Sequence, residues 1–218
     1  MVYVTLQLFL GFMVNLIDIA LHVDQYINYL ILTFGVWTYV VLFAIIFAET
    51  GLIVTPFFPG DSLLFIASAF ASAGSLNVVW LFTTFTLGAI IGDTINYWTG
   101  YILGRKVFHE KSKFFKKEYL FEAEEFYKRH GGKTIIIARF VPIIRTFAPF
   151  VAGIGRMSYS RFIAYNIAGG IAWVTIFLSA GYFFGNIAIV KDNLSLVIIG
   201  IIVVSLIPAG LKFISYVL

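Results

Sequence analysis

Long uncharged apolar runs alternate along this chain with short stretches carrying charge, proline and glycine. Tyr26 to Ala48 is 23 residues without a charged side chain, enough for a helix that spans a bilayer with some tilt. Leu76 to Gly104 spans again, with Asp93 and Asn96 inside it. Its Gly88-x-x-x-Gly92 and Gly100-x-x-x-Gly104 spacings allow close helix approach. Phe162 to Phe184 predicts another span, and Leu194 to Leu218 a last one with Pro208 as a kink. Residues 1–25 are apolar to Ile17 and then carry Asp18, His22 and Asp24. They lack the basic start and small-residue cleavage site of a secretory signal, and are read as a retained interfacial or partly inserted helix.

Two stretches break this pattern without ceasing to be apolar. Glu49 to Leu64 holds two acids, Glu49 and Asp61, with Pro56, Pro59, Gly51 and Gly60. Ala138 to Gly153 holds two bases, Arg139 and Arg145, with Pro142 and Pro149. Backbone can break at membrane depth only where protein or a water-filled cavity satisfies the freed N–H and C=O groups. A charge at the centre of a spanning helix costs about 2.5–3.5 kcal/mol even on the lenient insertion scale. Both stretches are therefore expected to line a polar cavity, with Pro56, Pro59, Gly60, Pro142, Pro149 and Gly153 as its structural hinges.

Composition agrees. Of 218 residues, 61% are hydrophobic and 12% charged, against about 25% charged in a soluble domain. The apolar runs are too long, and alternate too little, for barrel strands. The fold class is all-α integral membrane, and residues 1–218 form a single membrane domain. Cysteine is absent, which excludes disulfides, thiol catalysis and zinc–thiolate sites. His22, His109 and His130 fall outside the best spans, so no histidine-ligated metal, haem or other cofactor is expected.

Charge orients the chain. All 15 Lys and Arg lie from Arg105 onward, and nine fall between Arg105 and Lys133. Phe114, Phe115, Tyr119, Leu120, Phe126 and Tyr127 recur among them, which reads as amphipathic helix at the cytoplasmic interface. The net charge of +4 is thus a topology signal and not a nucleic-acid footprint. With 105–133 inside, and with 49–73 and 134–155 dipping into the membrane from opposite faces, only Lys191 among the basic residues lies outside. Both termini are then cytoplasmic. The first half covers 26–104, the second 134–185, and a C-terminal helix 194–218. Broken elements meeting near the midplane are the pattern of an inverted-repeat transporter.

At these residues the chain resembles the DedA family, within the wider VTT-domain group. The resemblance covers roughly Phe43 to Trp173. It rests on Glu49, then Pro56-x-x-Pro59-Gly60-Asp61; on Gly92-Asp93 with Tyr97, Gly100 and Gly104-Arg105; on Arg139-Phe140-x-Pro142-x-x-Arg145 with Pro149 and Ala152-Gly153; and on Met157, Phe162 and Asn166-x-x-Gly169-x-x-x-Trp173. Many relatives have Glu where this chain has Asp61. The resemblance implies two facing re-entrant hairpins in the bacterial cytoplasmic membrane. It also implies a flippase, not an enzyme, that returns undecaprenyl phosphate or moves phosphatidylethanolamine, linked to the proton-motive force. The expected partners are those lipids and protons, and a homodimer is allowed.

Each candidate residue has two readings. Glu49, Asp61 and Asp93 can carry protons, as carboxylates removed from water do at transport sites. Alternatively, Glu49 and Asp61 form structural ion pairs with the arginines, Asp61 N-caps a helix starting at Ser62, and Asp93 makes interhelical hydrogen bonds. Arg139 and Arg145 can fork onto the phosphate of a lipid head group, or merely balance the acids. Asp93, Asn96, Tyr97 and Gly100 share one helical face. Asn166 and Trp173 read as structural. A membrane phosphatase would want a histidine in a span, and none is there; a G-x-S-x-G elbow is also absent. Proton-coupled efflux of cationic drugs would suit the acids, but the two arginines oppose a cation.

Overall fold

A computed structural model describes residues 22–52, 60–107, 131–188, 190, 193, 197 and 200. Seven α-helices are described, and no strand occurs among these residues. Helix α1 covers Val23–Phe34, α2 Thr38–Gly51, α3 Gly60–Ser72 and α4 Val78–Val107. Helix α5 covers Lys133–Ala138, α6 Pro142–Ile154 and α7 Tyr159–Phe184. Pro56, Pro59, the basic stretch from Phe108 to His130, the N-terminal residues before His22 and the segment after Gly200 lie outside the described residues.

Three stretches are long and apolar enough to cross a membrane: Asp24–Gly51, Val78–Leu103 and Tyr159–Phe184. The first is not one smooth helix. A 3-10 turn at Gly35–Trp37 separates α1 from α2, with Gly35 at a φ of 53°. That left-handed geometry suits glycine. Thr38 ties the two pieces by donating its hydroxyl to the Leu30 carbonyl.

The two short apolar helices, α3 and α6, have 13 residues each. At 1.5 Å per residue each is about 20 Å long, short of the ~30 Å hydrocarbon core. α3 is buried nearly all round, as fits a helix enclosed by protein. α6 begins with Pro142 in its first turn, where a missing N–H costs nothing, and Val141 before it is extended. Both short helices end in the same way. After α3, Ser75 N–H bonds the Phe70 carbonyl and Gly74 N–H that of Ala71, with Gly74 at a φ of 85°. After α6, Met157 N–H bonds the Ala152 carbonyl and Arg156 N–H that of Gly153, with Arg156 at a φ of 47°. These are paired Schellman caps, the second with arginine where glycine is usual.

The packing crosses over. α2 lies on α4 and α5 on α7, each within its own half of the chain. The short helices do the opposite: α3 packs on α7, and α6 packs on α4. Glycines make these crossings close. A Cβ at Gly181 of α7 would overlap the Phe65 carbonyl of α3, and one at Gly100 of α4 would overlap the Phe150 carbonyl of α6.

Two apolar clusters flank a polar middle. Along α4, Phe85 and Ala89 belong to the first cluster, Asp93 and Asn96 follow, and Tyr97 opens the second. Along α7 the order reverses, from Phe162 through Asn166 to Trp173 and Val174. The two long helices therefore run antiparallel, with the polar residues midway.

Candidate functional site: a buried array of three acids and two arginines

The polar middle gathers charged side chains from five places in the fold. Glu49 lies in the last turn of α2, Asp61 in the first turn of α3 and Asp93 midway along α4. Arg139 follows α5 and Arg145 lies in α6. None is more than 8% exposed. Charges so deeply buried persist only when paired and hydrogen-bonded.

The pairing divides into two groups. Arg145 bridges two acids, with Nη2 on Glu49 Oε1 and Nη1 on Asp61 Oδ1 at 3.0 Å. Arg139 Nη2 bonds Asp93 Oδ2 and Asn166 Oδ1. Asp93, read from sequence as one member of a helical face, is thus the counter-ion of Arg139. The count is three carboxylates to two guanidiniums, where the two broken stretches alone suggested two to two.

Local structure explains these placements. α2 continues through Glu49 to Gly51, so the break falls after Gly51 and not at the acid. Glu49 Oε1 also accepts the Gly60 N–H at 3.2 Å, which sets the carboxylate at the start of α3 where the helix dipole favours it. A Cβ at Gly60 would overlap that carboxylate. The N-cap reading of Asp61 is corrected: α3 starts at Gly60, so Asp61 is already inside the first turn, and its side chain serves Arg145 and Trp173. Pro149 has no N–H for the Arg145 carbonyl four residues earlier, which loosens α6 at the turn carrying Arg145.

Neutral residues lock the frame. Asn96 Nδ2 donates to the Thr50 carbonyl of α2 at 3.1 Å and to the Thr146 carbonyl of α6 at 2.7 Å. Asn166 Nδ2 donates to the Ile90 carbonyl of α4 at 3.0 Å while its oxygen accepts from Arg139. Tyr97 hydroxyl donates to the Met157 carbonyl, and its ring stacks on Phe162 at 4.4 Å. Trp173 donates its indole N–H to Asp61 Oδ1 at 2.9 Å and places its ring 4.9 Å from the Arg145 guanidinium carbon. The bridging roles of Asn166 and Trp173 were not legible in sequence. Their signal was Asn166, Gly169 and Trp173 recurring on one helical face. Gly169 and Gly170 let the Arg139 side chain lie against α7, with a Cβ at Gly169 coming 3.1 Å from Arg139 Cδ.

The array retains unused hydrogen-bonding capacity. Arg139 Nε and Nη1, Asp93 Oδ1, Asn96 Oδ1 and Glu49 Oε2 have no partner among the described residues. Buried polar atoms are seldom left so, and each such group calls for an explanation.

The VTT domain family profile matches residues 58–183, more than half of the chain and all of this site but Glu49 and Thr50. The protein named DedA of Escherichia coli K12 is 53% identical over 204 residues, covering 92% of this chain and 93% of that one. The chain belongs to the DedA family. An uncharacterised membrane protein of Mycobacterium leprae is 44% identical over 166 residues, covering 76% of this chain and 74% of its own. The inner membrane protein YqjA of Escherichia coli K12 is 31% identical over 149 residues, 68% of each. No solved structure matches the chain. This DedA family protein is therefore an α-helical membrane protein whose family-defining segment contains most of a buried charge array.

Proposed function

We propose that this protein carries a phosphate-bearing lipid across the cytoplasmic membrane, exchanging protons as it does so. The observation that carries this reading is the array itself, two arginines and three carboxylates held together where two broken helical segments meet. An anionic head group crossing hydrocarbon needs cationic partners, and arginine suits phosphate oxygens. The unused donors on Arg139 Nε and Nη1 favour that assignment. The carboxylates exceed the guanidiniums by one, so one bound proton makes the array neutral. Phosphate adds negative charge, and a further proton on Glu49, Asp61 or Asp93 offsets it. Lipid binding and proton uptake are thereby linked.

In this reading, 49–73 with α3, and 134–155 with α5 and α6, are re-entrant hairpins of an inverted repeat. Their short second helices, matching caps and crossed packing support it. The termini and the basic loop face the cytoplasm, by the charge distribution. The protein acts as a transporter and not an enzyme.

The test is translocation in proteoliposomes with undecaprenyl phosphate and phosphatidylethanolamine as separate cargos, with and without a pH gradient. One lipid should move faster than in protein-free vesicles. Arg145→Ala and Arg139→Ala should each slow it roughly 10- to 100-fold, the scale of a lost charge-assisted hydrogen bond. Glu49→Gln plus Asp61→Asn should remove the dependence on the pH gradient. If neither lipid moves, yet the gradient collapses on adding a cationic drug, the protein is an efflux transporter instead.

A further inference from the structure

Trp173 touches both members of an ion pair by different faces of one ring. Its N–H edge holds Asp61 Oδ1 at 2.9 Å, and its π face lies 4.9 Å from the Arg145 guanidinium carbon. It is fully buried, so both contacts form away from water, where each is strongest. Asp61 and Arg145 sit on the two short helices, one from each half, whereas Trp173 sits on a long helix. Among the described residues Arg145 is also paired with Glu49, and Asp61 Oδ1 is the atom shared between the cation and the indole.

We propose that Trp173 is the positioning residue of the transport site. It keeps Arg145 docked on α7 when the carboxylates release it. This rests on the lipid-phosphate reading above. When phosphate displaces Glu49 and Asp61 from Arg145, the guanidinium loses both anions at once. The indole face stays in contact, and it holds the cation in place for the head group. The charged groups facing Asp61 are Arg145 from α6 and Glu49 from α2, with Asp93 of α4 and Arg139 beside them. α7 otherwise carries only Arg161, about 18 Å along the helix from Trp173, and α1 only Asp24, in its first turn.

Two variants of the full chain separate the two contacts. Trp173→Phe keeps a ring face but has no N–H. Its affinity for undecaprenyl phosphate in phosphatidylcholine vesicles should be lowered by less than about threefold, because the ring face against Arg145 is kept. Trp173→Leu keeps neither contact, and the same affinity should fall about tenfold or more. A readout independent of lipid uses the exposed Trp37, Trp80 and Trp98 replaced by phenylalanine, leaving Trp173 as the sole indole. Its emission in the lipid-free protein should shift on Arg145→Ala. Equal affinities of Trp173→Phe and Trp173→Leu, or emission that Arg145→Ala leaves unmoved, overturn the proposal. If Arg145→Ala shifts the emission while wild type neither binds nor moves lipid, the positioning role stands and the lipid-phosphate reading fails. Trp173→Leu that folds and keeps wild-type lipid affinity also rejects the proposal.

Discussion

The Arg139–Asp93 pair shows what a single buried charge demands. Arg139 offers its planar head to Asp93 and Asn166 together, with its stem against Gly169 and its guanidinium carbon over Gly170. Removing one partner of a buried pair strands the other, at about 3–5 kcal/mol, whereas neutral replacement of both costs far less. Arg139→Gln alone should therefore lower the melting temperature in detergent clearly, and adding Asp93→Asn should recover most of the loss. Equal melting of the single and double variants would show that the pair bears no such load. Arg139→Lys should not substitute, because a point charge cannot reproduce the planar geometry. Sequence showed that these residues are buried and opposed in sign, since prolines and charges stood inside apolar runs. It could not show which acid meets which base. Arg139 and Asp93 are 46 positions apart, Arg145 and Glu49 are 96, and no local pattern carries such a pairing.

At the scale of elements, helix contact is set by glycines that admit a neighbour's backbone. Gly181 meets the Phe65 backbone, and Gly88 meets the Phe43 carbonyl and the Ile46 side chain with an added Cβ at 3.3–3.5 Å. Gly181→Ala must push α3 from α7 and should cost about 1–3 kcal/mol, the range for overpacking. Gly88→Ala should cost less, as the Ile46 methyl can yield. Comparing their melting temperatures checks this, and equal values would mean that the α3–α7 contact is not rigid. The last span, 194–218, lies largely outside the described residues, whereas the spans over 26–48, 76–104 and 162–184 were legible because each rests on hydrophobic length, and the break before Pro142 because it rests on proline. Boundaries were less so. α2 runs past Glu49 to Gly51 because an acid does not by itself stop a helix, and the Gly35 turn is hidden inside an uncharged run. The capping alternative for Asp61 arose because proline and glycine before an acid resemble a cap. Here the helix starts two residues before Ser62, at Gly60, with Glu49 supplying the acceptor from another element.

For the whole molecule, the crossed packing makes each half complete the other. The carboxylates of α2 and α3 find their cation in α6, and α6 in turn lies on α4. Neither half should be stable alone. A chain cut after Lys117 and expressed as its first piece only should be degraded, while co-expression of both pieces should restore full-length abundance and activity. Stable accumulation of the first piece by itself would contradict this. The same interdependence imposes an order of events at birth. Asp61 precedes Arg145 by 84 residues and Glu49 precedes it by 96. At ~5–20 residues per second, synthesis leaves those acids waiting on the order of ten seconds for their counter-ion. During that interval the nascent first half must keep its carboxylates at the water boundary, protonated, or sheltered by the insertion machinery. α3 can settle into the membrane interior only when the last third of the chain arrives to receive it.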